Sequence, residues 1–235
     1  MRVIILDIDG TLMDTNYLHV EAWAQAFATV GYHVPRAAIH RQIGKGSQLL
    51  IDNFVQDKAM GKRVDDLHGE FFAHMQPQSY PLPDAKELLT TLSARELACW
   101  LATSAKPAEL QYYVEQLEVA ETIAGVISSQ DVEQAKPAPD LFELTLYRAG
   151  CRPEEGIVVG DTVWDIQAAN GCGLRTVAVL TGGGFSRREL EEAGAIAVYQ
   201  DCAELLAAGF PERLDTRLMA TTDAHKTGEL GDMTR

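Results

Sequence analysis

The 235-residue chain has few cysteines, a deficit of positive charge and no long hydrophobic run, and each shortage excludes something. Cys99, Cys151, Cys172 and Cys202 are widely spaced and form no CxxC or Cys/His zinc pattern, which argues against a disulfide framework and a structural zinc site. Cys99, within Leu97-Ala98-Cys99-Trp100-Leu101, reads as a small core hydrophobe, so reduced thiols and a cytoplasmic location are expected. No apolar run approaches the roughly 18 residues of a membrane span, and no membrane partner is expected. The first apolar run begins almost at Met1, with no basic segment or cleavage site ahead of it, so no secretory signal is expected. Lys and Arg number 20 against 34 Asp and Glu, a formal charge of −14 that disfavours nucleic acid and anionic membrane as partners. A small anionic substrate remains compatible, provided that positive charge is concentrated inside its site.

What the chain does have is an abrupt junction near its start. The apolar run Val3-Ile4-Ile5-Leu6 fits a strand covered on both faces, and it ends in Asp7-Ile8-Asp9-Gly10-Thr11. In open α/β sheets ligands bind at that carboxyl end of the strands. Two ionised carboxylates about 4 Å apart repel by roughly 4 kcal/mol at an effective dielectric near 20, so such a pair calls for a cation or a proton. Mg²⁺, held by one or two carboxylates, waters and a substrate phosphate, suits it. Read alone, the same residues could simply form a turn.

The periodicity then becomes helical from Tyr17 to about Met75. Ala22, Trp23, Ala26, Phe27 and Val30 recur every three or four residues, with Gly31 as the expected C-terminal stop. Further helices are expected at 36–42, 47–56 and 58–75. Three prolines in Gln76–Pro83 break the pattern, and Asp84 reads as the N-cap of the next helix. Beyond it, helices alternate with short apolar runs at 97–102, 125–128, 156–159, 176–180 and 196–199, which implies βαβ units and a parallel sheet. The expected fold is therefore α/β: a Rossmann-like parallel sheet with helices on both faces, from residues 1–14 and 82–210. An all-helical module, 15–81, is inserted through hinges near Met13-Asp14-Thr15 and Pro77–Pro83 and is expected to lie over the strand ends as a lid. The polar segment 211–235 is expected to be a weakly ordered tail.

Polar groups close four of these apolar runs or open the helix that follows. Besides Asp7-Ile8-Asp9-Gly10-Thr11, they are Leu101-Ala102-Thr103-Ser104, Lys136-Pro137-Ala138-Pro139-Asp140, and Val158-Val159-Gly160-Asp161-Thr162-Val163-Trp164-Asp165. Each has a bland reading: an exposed loop lysine, a helix cap at Thr103 and Ser104, or helix N-terminal acids at Asp161 and Asp165. In their order, spacing and surroundings, however, the four together resemble the haloacid-dehalogenase-like superfamily of phosphotransferases. The resemblance is to the branch with a helical cap inserted after the first motif, similar to phosphoglycolate phosphatase and beta-phosphoglucomutase-like proteins. It covers residue 1 to about 210.

The resemblance implies roles. Asp7 is the nucleophile, forming an aspartyl-phosphate. Asp9 protonates the leaving alcohol and then deprotonates the attacking water. Thr103, by hydroxyl and backbone N–H, binds the transferring phosphoryl oxygens with Ser104, Gly10 and Thr11. Lys136 pairs with Asp7 and the phosphate. Asp7, the backbone carbonyl of Asp9 and Asp161 bind Mg²⁺, with Asp165 a ligand directly or through water. Asp9 also separates the chain from dehalogenase members, which lack that acid. Phosphonate-cleaving members carry a cap lysine near the position aligned with Ser47, with which Lys45 is out of register. Sugar-phosphate mutases carry an arginine near there, which Ser47 and Gln48 do not supply, although Asp14-Thr15 through His19 and Ala22-Trp23 resembles them. The loop Ile43-Gly44-Lys45-Gly46-Ser47 looks more like phosphoglycolate-phosphatase-type members. Lys45, flanked by Gly44, is a candidate substrate contact, Arg41 a weaker one and His19 a third; the other histidines read as surface or helix-face residues. The expected function is a Mg²⁺-dependent phosphatase of a small phosphorylated metabolite, phosphoglycolate or a sugar phosphate, acting as monomer or homodimer. The alternatives are an intramolecular phosphomutase and a non-catalytic module on the same fold.

Overall fold

The computed structural model describes residues 1–214. Strand β1 (Val3–Leu6) is followed by four helices, α1 (Asn16–Thr29), α2 (Arg36–His40), α3 (Ser47–Asp52) and α4 (Lys58–Met75). The chain then alternates through α5 (Ala85–Ala94), β2 (Ala98–Ala102), α6 (Pro107–Leu117), β3 (Ile123–Ile127), α7 (Asp140–Ala149), β4 (Gly156–Gly160), α8 (Val163–Gly171), β5 (Arg175–Val179), α9 (Arg187–Ala193), β6 (Ala197–Tyr199) and α10 (Cys202–Ala207). The strands form one parallel sheet in the order β3-β2-β1-β4-β5-β6. Strand order reverses between β1 and β4, and the crevice at such a switch point is where a doubly wound sheet receives its ligand.

The apolar run that opens the chain is explained by burial on both sides. Ile4 and Leu6 pack into one core cluster, on the side of α5 and α6, whereas Val3 and Ile5 pack into another, on the side of α7 and α8. Strand β4 repeats the alternation, with Ile157 and Val159 on the first side and Val158 on the second. Cys99 lies fully buried in the first cluster, and burial pushes its thiol up to about 11, which makes it the inert core residue expected. Strand β3 starts two residues earlier than its apolar run suggests. Gly125 there is no turn residue: a Cβ would meet the Trp100 ring at 2.5 Å, so the missing side chain makes room for the indole on β2.

Helices α1–α4 have a core of their own, built around Trp23, Phe27, Ile39, Leu50, Ile51 and Val64. The two chain segments joining them to the sheet run side by side. Met13 bridges Pro81, the Asp14 amide donates to Tyr80 O at 2.9 Å, and the Leu82 amide donates to Leu12 O at 2.8 Å. Two of the expected helices are shorter than their pattern, α2 and α3 ending at His40 and Asp52. Asp84 precedes α5 as expected but caps nothing with its side chain, because its backbone is left-handed (φ 60°). The packed chain also runs past residue 210: Phe210 and Leu214 are buried, and Arg95 donates to Phe210 O at 2.9 Å. The rest of the expected tail, 215–235, lies outside the described residues.

Gly31 ends α1 with φ +88°, while the Tyr32 amide reaches back to Phe27 O at 2.9 Å. A Cβ at Gly31 would meet nothing within 4 Å, so only the backbone resists a side chain. Gly31→Ala is therefore expected to cost about 1 kcal/mol, the penalty of a left-handed alanine, read as a lower denaturation midpoint with unchanged m-value.

Candidate active site

The carboxyl ends of β1 and β4 bring three acids together under the inserted helices. Asp7, Asp161 and Asp165 are all buried, and each presents an oxygen within 4.8 Å of the others'. Lys136, from the turn before α7, reaches them with a fully buried ammonium: its Nζ lies 2.5 Å from Asp7 Oδ1 and 2.7 Å from Asp165 Oδ1, and it donates to Ala102 O at 3.2 Å. The lysine therefore touches the ends of β1 and β2 and the first turn of the helix that follows β4. Asp165 performs a second task, because its Oδ2 accepts from the Thr162 amide (3.1 Å) and hydroxyl (2.5 Å) in a capping box that starts α8. A cation in the cluster would meet carboxylate oxygens of Asp7, Asp161 and Asp165. The donor set is all hard oxygen, and one lysine does not balance the acids around it, so the residues fit a divalent cation.

Gly10 and Thr11, expected beside the phosphoryl group, lie in the turn after β1 and help to build this site. The Gly10 amide donates to Met13 O and the Thr11 amide to Ile8 O, so both N–H groups are spent inside the turn. The Thr11 hydroxyl donates to Asp161 Oδ1 at 3.1 Å, while Thr181 Oγ1 holds Gly10 O at 2.6 Å. Gly10 has φ +81°, and a Cβ there would strike Asn16 Nδ2 at 2.2 Å; only glycine fits. The Thr103 amide is spent in the same way, on Ile127 O at 3.1 Å, which leaves the hydroxyl as its free function. That hydroxyl donates to Asp9 Oδ2 at 3.3 Å.

Asp9 points the other way, toward the inserted helices. Its Oδ1 accepts from Thr15 Oγ1 at 2.7 Å and pairs with His19 Nε2 at 3.3 Å. Burial alone would raise its carboxyl, but the His19 and Thr15 hydrogen bonds outweigh burial and hold it below the usual carboxylate value. The same partnership raises His19 against the lowering effect of its own burial. Asp7, Asp9, His19, Gly44, Lys45 and Ser104 line one pocket between the sheet and the helices, with Asp161, Asp165 and Lys136 packed behind it. Ser104 Oγ donates to Gly44 O at 3.3 Å, tying the two sides together. Lys45 Nζ sits 3.9 Å over the Trp164 ring and donates to Gln42 at 2.7 Å, whereas Arg41 points to Gly184 O and Glu189 on the far side.

The sequence pattern did not single out Asn16, Thr181, His68 or Glu109. Asn16 donates to both Asp161 Oδ2 and Gly182 O at 3.2 Å, so α1 itself steadies the acid at the end of β4. His68 carried a readable signal: it falls among Gly61, Val64 and Phe72 on the buried face of α4, a polar residue in an apolar stripe.

The sequence pattern of the haloacid dehalogenase-like hydrolases matches residues 4–179. A phosphoglycolate phosphatase from Rhodospirillum rubrum is 29% identical, over 94% of this chain and 96% of that protein. A phosphorylated carbohydrates phosphatase from Thermotoga maritima is 25% identical, over 84% of this chain and 94% of that protein. Among solved structures, a hydrolase from Pseudomonas syringae superposes with a TM-score of 0.83 at 32% identity, covering 88% of this chain and 97% of that one.

Burial, outweighing Lys136, pushes Asp7 up to about 7, with Asp165 and Asp9 adding repulsion; burial and repulsion from Asp165 and Asp7 raise Asp161 well above the usual range. A folded-state pKa above the unfolded value means that the group's contribution to stability is full below about pH 4 and is lost as pH rises through the folded value. The protein stripped of metal is therefore expected to lose stability from this site as pH rises from about 4 to 7. Melting curves of chelator-treated wild type and Asp7→Asn across that range should show the variant gaining on wild type with increasing pH, and divalent cation should remove the wild-type slope.

Proposed function

The chain belongs to the haloacid dehalogenase-like hydrolase family, and on that premise we propose that it is a Mg²⁺-dependent phosphatase of small phosphorylated metabolites. The observation that carries the proposal is the buried Lys136 ammonium held between Asp7 and Asp165 at the sheet's switch point. A lysine so placed can steady an anionic nucleophile and the phosphoryl group that approaches it, two anions that would otherwise repel. The names of the Rhodospirillum rubrum and Thermotoga maritima relatives support phosphate monoesters of a small acid or a carbohydrate as substrates.

In this reading Asp7 attacks phosphorus and forms an aspartyl-phosphate as the bond from phosphorus to the leaving oxygen breaks. The proton that the leaving alkoxide needs comes from the Asp9–His19 pair, whose 3.3 Å contact keeps it beside the reacting group. Asp9 then takes a proton from water as the water attacks the phosphoryl group, which releases phosphate and restores Asp7. Thr103 Oγ1 fixes the second oxygen of Asp9 and so its direction. Asp7, Asp161 and the Asp9 carbonyl would hold the Mg²⁺, which when bound would supply positive charge to offset that of the phosphoryl group. Helices α1–α4 act as the cap that keeps bulk water from the intermediate.

Phosphate release from a panel of phosphorylated metabolites tests the proposal. Wild type should need Mg²⁺, Asp7→Asn should lose at least about 10³-fold in kcat, and Asp9→Asn should lose about 10²-fold or more while binding Mg²⁺ normally. Turnover indifferent to both Mg²⁺ and the Asp7 carboxylate would reject the mechanism. Retention of all phosphorus in organic form, followed by ³¹P NMR, would assign the site to a phosphomutase instead.

A further inference from the structure

The pocket wall opposite Asp7 holds two polar groups that the proposed chemistry does not use. His68 is 4% exposed and lies on α4, its ring stacked 3.8 Å from Trp23. Its Nε2 meets His19 Nδ1 at 3.2 Å, and its Nδ1, equally buried, has no hydrogen-bond partner among the described residues. A buried ring nitrogen without a partner loses its hydration with nothing in return unless something in the pocket meets it. Glu109, on α6, lines the same pocket; its Oε2 accepts from the Lys106 amide at 3.2 Å as part of a capping box.

These two groups select a ligand chemistry. If His19 Nδ1 donates to His68, the neutral His68 ring carries its proton on Nδ1; if His19 accepts, Nδ1 offers a lone pair. A hydroxyl can meet either form, because it both donates and accepts, and it can also donate to the Glu109 carboxylate. A second anionic group on the substrate fits less well. It would face Glu109, and of the two lysines of the pocket wall Lys106 is paired with Asp65 at 3.5 Å, while Lys45 is held away over the Trp164 ring and donates to the neutral Gln42 amide at 2.7 Å.

We propose that His68 and Glu109 read a hydroxyl on the organic part of the substrate, which makes the preferred substrate a hydroxylated phosphate monoester, a polyol or sugar phosphate, rather than a phosphorylated carboxylic acid. The inference rests on the phosphatase reading and adds to it the residues that determine specificity.

Steady-state kinetics of the full chain with Mg²⁺ test it, with phosphoglycolate, glycerol 1-phosphate, ribose 5-phosphate and glucose 6-phosphate as probes. Wild type should show a higher kcat/KM for at least one hydroxylated ester than for phosphoglycolate. His68→Ala and Glu109→Ala should each raise KM for that ester by about tenfold, the loss of one hydrogen bond, and change its kcat by less than about threefold. Their KM for phosphoglycolate should rise by a smaller factor. Glu109→Ala, which gives up only a capping-box contact of α6, keeps the test decisive if His68→Ala fails to fold. Preference of wild type for phosphoglycolate, an equal loss on every ester, or a loss confined to kcat would overturn the inference and leave the phosphatase reading intact. Absence of phosphate release from all four esters and a wider panel would overturn both.

Discussion

The arrangement of this protein turns on one buried ammonium. An ion taken from water into a protein interior costs several kcal/mol even after relaxation, and Lys136 is fully buried. Asp7, Asp165 and the Ala102 carbonyl offset that cost only because β1, β2 and β4 are adjacent and end at the same level, which the parallel order around β1 provides. The lysine in turn makes the acids tolerable, but only partly. Asp161 receives its hydrogen bonds from neutral groups, Thr11 and Asn16, and remains strongly raised. The cluster is thus built one cation short, a charge balance that a bound metal ion would restore.

The inserted helices are joined to that cluster by more than their two connecting segments. Asn16 ties α1 to Asp161 and to Gly182 O, and His40 Nε2 lies 3.0 Å from the same carbonyl. Gly182 can sit there because it has no side chain; a Cβ would fall 1.6 Å from Asp161 Oδ2. Arg41 adds a bond to Gly184 O at 2.7 Å and lies 4.2 Å over the Phe185 ring. The loop after β5 therefore serves as a seat on which the helices rest, and the seat touches the acid that ends β4. Any movement of the helices away from the sheet must break the Asn16 contacts, so opening of the pocket and order at Asp161 are mechanically linked.

Most of the sheet and the acidic cluster were legible in the sequence, for reasons that differ by residue. Val3–Leu6 reads as a doubly covered strand because burial on both faces removes the polar alternation, and Asp7 stands out because nothing in a buried strand calls for a carboxylate. Residues whose effect comes through a backbone carbonyl were not legible: Thr181 and Gly182 matter because of what their neighbours' atoms approach, and no periodicity records that. Gly10, Thr11 and Thr103 were recognised by type, but pattern cannot say which amide a turn or sheet has already spent. Asp84 shows the same limit, where a suitable capping residue adopts a backbone that prevents capping.

Thr15 and Asp165 show where local structure and chemistry part. Both occupy positions in the first turn of a helix, and both carry side chains suited to capping. Asp165 does cap α8, so its carboxylate is fixed by the fold before it meets Lys136, and the cost of orienting it is met by helix formation. Thr15 stands at the N-cap of α1 and makes no cap bond; its hydroxyl goes to Asp9 instead, at 2.7 Å. A cap given up in this way costs about 1 kcal/mol. That loss is sustained where α1 begins, at the junction through which the inserted helices meet the sheet, and it leaves Asp9 held from one side by the helix and from the other by Thr103. The position of the second aspartate is therefore set jointly by the sheet and by the helices above it, whereas the first is held by the end of β1 and by Lys136, without the inserted helices.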